Sequence, residues 1–230
     1  MKPRLSFLFS YVLILTMIPY MTTAQASKSE KWELNSVLEV ENFGVAVTET
    51  TYKGKKALKV VHQSGEQGEA SFAKLVNSDF KDGIIELELA GKPGENAGQN
   101  ARGFVGIAFR IADDNSRFEC FYLRPTNGRA EDQQRRNHSC QYISFPDYPW
   151  YTLRQETPGK YETYVDLQPG IWTRVKIEVS GEQARLYVHG SEQPTLIVND
   201  LKHGSDPGGA IGLWVAVGTE AYFSNLEVTK

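Results

Sequence analysis

Trp172-Thr173-Arg174-Val175-Lys176-Ile177-Glu178-Val179-Ser180 is the stretch that decides the fold. Val175, Ile177 and Val179 take every second place, with Arg174, Lys176 and Glu178 between them. That is the period of a strand with one dry face. Gly181-Glu182-Gln183 then turns the chain, and Ala184 to His189 returns beside it.

The same reading extends outward. Ile84 to Ala90 sets Ile85, Leu87 and Leu89 on one face and Glu86 and Glu88 on the other. Phe104 to Ile111 follows, with Val105, Ile107, Phe109 and Ile111 on the core side, and Asp113-Asp114-Asn115-Ser116 turns into Arg117 to Arg124. Leu38 to Val47 and Ala57 to His62 flank Lys53-Gly54-Lys55 as an opening hairpin, and Ser71 to Val76 is a short strand. Gly91 to Asn100 reads as a flexible loop and Pro125 to Leu153 as irregular, with a strand at Ser139 to Phe145. Ala210 to Val217 and Ala221 to Val228 close the chain, and no amphipathic helix is evident. About ten short strands with polar connections predict an all-β, two-sheet antiparallel jelly-roll sandwich in one domain.

Residues 1 to 26 read as a signal peptide: Lys2 and Arg4, an apolar run from Leu5 to Ile18, then Ala24-Gln25-Ala26 as the cleavage pattern. The run is shorter than the roughly 20 residues of a spanning helix, and no later segment makes up for it. Cleavage near Ala26 leaves residues 27 to 230, 204 in number, as a secreted or periplasmic domain with no membrane span. The formal charge moves from −3 to −5, because the leader carries two basic residues and no acidic one. Such a balance offers no general attraction to nucleic acid. After export, Cys120 and Cys140 meet an oxidising environment. A bridge between them would constrain the unfolded chain by roughly 3 kcal/mol; the alternative is two separate thiols on neighbouring strands.

The closing third carries a resemblance. Trp172-Thr173-Arg174-Val175-Lys176-Ile177, then Leu186-Tyr187-Val188-His189-Gly190, Gly209-Ala210-Ile211-Gly212-Leu213 and Phe223-Ser224-Asn225-Leu226-Glu227-Val228 stand in an order that resembles the concanavalin A-like lectin/glucanase superfamily. Its laminin G-like members and the 3-keto-disaccharide hydrolase family are similar. The resemblance implies a jelly roll with a sugar groove on its concave sheet. The Glu-x-Asp-x-x-Glu or Glu-x-Asp-x-Glu strand of many glucanases in the superfamily does not occur here, and neither do the clustered Asp and Asn of a legume-lectin metal site.

Three groups of residues could carry chemistry. The first is basic and polar: Arg124, Asn127, Arg129, Arg135, Arg136, Asn137 and His138, with Gln141 and Tyr142 after them. Guanidinium forks match carboxylates and paired hydroxyls; the plainer reading is a solvated loop paired with Glu131 and Asp132. The second is aromatic: Tyr148, Trp150, Tyr151 and Tyr161 could stack on sugar faces or simply seal one end of the sandwich. Strand alternation adds Arg110, Tyr122, Arg124 and Trp214 as the groove lining, with Arg135 to His138 above it. The third is the pair Glu86 and Glu88, about 6.5–7 Å apart on one strand face, within the range of inverting glycosidases, though Glu alternating with Leu is also ordinary strand patterning. His138 and Tyr142 are further candidates for proton transfer, in the manner of a polysaccharide lyase. His62, His189 and His203 lack ligand spacing, so no metal and no cofactor is expected.

The leading expectation is an exported carbohydrate-binding domain recognising a glycan in an Arg/aromatic groove. A glycan-active enzyme (glycoside or 3-keto-disaccharide hydrolase, or polysaccharide lyase) and a protein-binding adhesion module are the alternatives.

Overall fold

The computed structural model describes residues 28–63, 70–95, 97–98 and 101–230. The expected signal peptide lies outside the described residues, as do parts of the expected loop before residue 101. In chain order the strands are β1 (Ser29–Trp32), β2 (Val40–Phe43), β3 (Val45–Tyr52), β4 (Lys55–His62), β5 (Phe72–Leu75), β6 (Gly83–Pro93), β7 (Val105–Ile111) and β8 (Phe118–Leu123). They continue as β9 (Cys140–Phe145), β10 (Glu162–Thr163), β11 (Thr173–Ser180), β12 (Gln183–Val188), β13 (Leu196–Val198), β14 (Ala210–Val215) and β15 (Thr219–Thr229). Two short helices, α1 (Gln133–Asn137) and α2 (Trp150–Glu156), interrupt the region read as irregular.

One sheet runs β13-β12-β11-β6-β15-β4-β3, with β1 added along β15; the other runs β10-β9-β8-β7-β14-β5-β2. All strand pairs are antiparallel. This is the jelly-roll sandwich that the alternation predicts. The run around Val175 lies between β6 and β12, with Val175 opposite Leu87 and Val188. Its apolar face joins Leu58, Val60, Ile85, Leu89 and Phe223 in a core shared with Val105, Ile107, Phe109, Phe121 and Leu123 of the second sheet. Each such side chain fully withdrawn from water contributes roughly 1.5–3 kcal/mol. The sheets approach closely at Gly91, where a Cβ would lie 2.6 Å from Val105 Cγ1.

Two expectations need correction, and of the two readings of the cysteines the separate thiols hold. Leu38 to Val47 is not one strand: Gly44, at φ +66°, lets the chain leave the second sheet after β2 and enter the first at β3. The first hairpin is β3–β4, turning through Lys53 and Gly54, both at positive φ. Gly91 to Pro93 are strand rather than loop, because β15 pairs with them along its N-terminal half. The two cysteines are not bridged. Cys140 sits opposite Leu123 and Cys120 opposite Ile143, three rungs apart. An odd separation puts the two thiols on opposite faces of the sheet, beyond disulfide reach.

Candidate functional site

The register of the second sheet builds a row of side chains across its outer face. Glu162 stands opposite Gln141, Gln141 opposite Tyr122, and Tyr122 opposite Gly106. Gly106 stands opposite Trp214, Trp214 opposite Phe72, and Phe72 opposite Phe43. Directly paired residues project to the same side, so the row is polar on β10 and β9 and aromatic from β8 to β2. Gly106 is essential to it. A Cβ there would lie 2.5 Å from Tyr122 Cβ, and without one Tyr122 and Trp214 approach to 4.8 Å between ring centroids. The next rung holds Cys120, Ala108 and Gly212 on the three central strands.

Arg124, one residue beyond β8, lies on the same face as Tyr122. Its guanidinium stacks over Phe104, Tyr122 and Trp150 at 4.9, 5.2 and 5.6 Å. Nη2 donates to Tyr122 Oη at 2.8 Å and Gln141 Oε1 at 3.2 Å, while the buried Nε has no hydrogen-bond partner among the described residues. Arg124 is 5% exposed. Trp150, the first residue of α2, is held between Arg124 and Arg154. Arg154 Nε donates to Glu162 at 2.9 Å, and His138 Nε2 lies 3.3 Å from the same carboxylate. Burial lowers the proton affinity of His138; Glu162 opposes this, and Arg154 and Arg124 add to it.

Of the four residues expected to line a groove, the structure brings three together. Tyr122, Arg124 and Trp214 are brought together, with Trp150 and His138 beside them. Tyr122 and Trp214 keep 2% and 1% of their surface. Arg110 is not with them. It is fully buried and donates to the carbonyls of Lys81, Gly181 and Gly204 and to Asp82. Alternation misplaces it because its backbone is left-handed, at φ +54°, beside a register shift on β14.

The rest of the basic loop is largely scaffold. Asn127 donates to the His138 carbonyl and accepts from Arg135, whose Nη2 reaches Thr126. Arg129 pairs with Asp166, Arg136 stacks on Tyr164, and Asn137 accepts from Gln133 within α1. Asp132 caps α1 at Arg135 N instead of pairing with a guanidinium. Tyr148 lies under Lys202, away from the Arg124 stack.

The catalytic candidates also separate. Tyr142 projects to the inner face, donates to Glu119 and accepts from Lys202 N. Burial and Glu119 push its hydroxyl well above the ordinary tyrosine range. Glu86 and Glu88 lie on the outer face of the other sheet, paired with Arg174 and Lys55. Burial pushes Glu88 up, but hydrogen bonds from Lys55 and Asn225 outweigh it and hold it below the usual range. Glu162, Phe72 and Phe43 were not anticipated, since only strand register places them in the row, and Arg154 reaches Glu162 from α2.

Among the described residues no group of three His, Cys, Asp or Glu is arranged to hold a metal, and no helix is long and apolar enough to cross a membrane.

No family model matches the chain, and no curated protein matches it. Among solved structures, the carbohydrate-binding module CBM66 from Bacillus subtilis is 16% identical, over 82% of this chain and 97% of that one, with a TM-score of 0.53. A native glycosidic hydrolase is 13% identical, over 87% and 94%, with a TM-score of 0.50. At such identities the likeness is one of fold. The architecture is a two-sheet antiparallel jelly roll.

Proposed function

We propose that the processed chain, released by cleavage near Ala26, is an exported glycan-binding domain that holds sugar against the Tyr122–Trp214 row. Sugar rings present C–H faces that stack on aromatic planes, and their hydroxyls need polar partners. The row supplies the planes, and Arg124, Gln141 and His138 stand at its polar end. The observation that carries the reading is the meeting of Tyr122, Trp214 and Arg124 across Gly106. The carbohydrate-binding module that shares the fold is in keeping with it.

A second reading, an enzyme acting on glycans, has one observation in its favour: His138 and Glu162 form an acid–base pair beside the row. Bidentate capture of Glu162 by Arg154 argues that the pair is chiefly structural. Titrating the processed protein with a glycan panel, while following tryptophan emission and sugar release together, separates the two. Saturable emission changes without release support binding. Release that disappears in His138→Ala would replace it with catalysis, and a panel without any response would end both.

A further inference from the structure

We propose that the glycan bound at this row is acidic, its carboxylate meeting Arg124; the inference rests on the reading above and names the class of sugar.

Around the polar end of the row, the charges of Arg154 and Glu162 cancel in a paired contact. Among the described residues no carboxylate forms an ion pair with Arg124. Its Nη2 rests on two neutral oxygens, and three aromatic faces surround its plane. A guanidinium stays charged at any ordinary pH, and withdrawing that charge from water without a counter-charge is costly. Its field is felt nearby, where Arg124 acts against protonation of His138 and in favour of the Cys140 thiolate, although burial dominates both groups. Nε is buried and has no acceptor among the described residues, so one carboxylate oxygen would supply both the acceptor and the counter-charge.

The neighbouring loop has the same sign. Arg135 spends its guanidinium on the neutral Asn127 and Thr126. Arg102 has its proton affinity lowered by burial and then by Arg135. A chain of net charge −3 thus keeps positive charge at one end of its aromatic row. A neutral sugar could satisfy Nε through a hydroxyl but would leave the charge uncompensated.

The test uses oligogalacturonate, oligoglucuronate and alginate oligomers, each paired with its carboxyl-reduced form, in calorimetric titrations of the processed protein. An acidic oligomer should bind roughly 10- to 100-fold more tightly than its reduced partner, the factor expected of a charge-assisted hydrogen bond. Raising salt should shrink that ratio, and Arg124→Gln should bring it close to one. The salt titration needs no variant, so a folding defect in Arg124→Gln would not remove the test. Equal or tighter binding of the reduced oligomers overturns the acidic assignment and leaves glycan binding standing. Failure of both forms, together with a silent neutral panel, overturns both.

Discussion

The two sheets use their outer faces in opposite ways. On the first, charged side chains find each other: Arg174 with Glu86, Lys55 with Glu88, Lys176 with Glu178, and Lys59 and Lys92 with Glu220. Tyr52 stacks on Tyr222 at 3.6 Å beneath them. On the second, aromatic rings line up across the strands and a guanidinium sits among them with no carboxylate partner among the described residues. The first face satisfies itself. The second leaves an acceptor and a counter-charge to come from elsewhere, which is why the site is assigned to it.

Two arginines sharpen the contrast. Arg110 gives its hydrogen bonds to three carbonyls and Asp82, tying together the loops before β6, between β11 and β12, and after β13. Replacing it with methionine breaks all four bonds and should cost about 4 kcal/mol in urea unfolding, on the order of 1 kcal/mol for each bond lost, with glycan affinity unchanged in the folded fraction. A loss of binding with stability intact would mean that Arg110 belongs to the site after all.

Acid should strain the first face more than the second. Burial raises Glu220, but Lys92, Tyr222 and Lys59 outweigh it and bring its carboxyl down from 4.5 to about 2. A depressed carboxyl contributes stability that is present above pH 4.5 and is lost as pH falls toward 2. That contribution is on the order of 2–3 kcal/mol, and Glu220→Gln should flatten the thermal unfolding profile across this window. A profile unaltered by Glu220→Gln would show that the Lys59–Lys92 cluster contributes little.

Smaller effects come next. Trp214→Ala should weaken glycan binding by at least about tenfold, roughly 1.4 kcal/mol, as expected of a lost stacking plane; an unchanged titration would move the site elsewhere. Glu86→Gln and Glu88→Gln should each change stability by less than about 1 kcal/mol, the ordinary range for exposed pairs, and leave both binding and any sugar release as they were. Release abolished by either would restore the carboxylate pair as catalytic.

How much could be read from sequence follows from what alternation encodes. Val175, Ile177 and Val179 against Arg174, Lys176 and Glu178 define a strand and its dry face without any partner, and the sandwich follows from several such runs. Tyr122, Arg124 and Trp214 were placed outward by the same rule, and the structure brings them together. The rule fails where backbone geometry breaks the period, as at Arg110 with its left-handed φ. It is also silent on register, so it could not bring Glu162, Phe72 and Phe43 into one row. The cysteines show the same limit: an odd number of rungs separates them, a count fixed only once β8 and β9 are aligned. Arg129 and Arg136, legible as basic, have partners in Asp166 and Tyr164, which lie far along the chain.

The most direct measurement is a structure of the processed protein with a bound oligosaccharide. Stacking across the Gly106 gap is expected to place a sugar ring against Tyr122 and Trp214, with an oxygen on Arg124 Nε. A sugar lying instead among the paired charges of the opposite sheet, with the row untouched, would contradict the account.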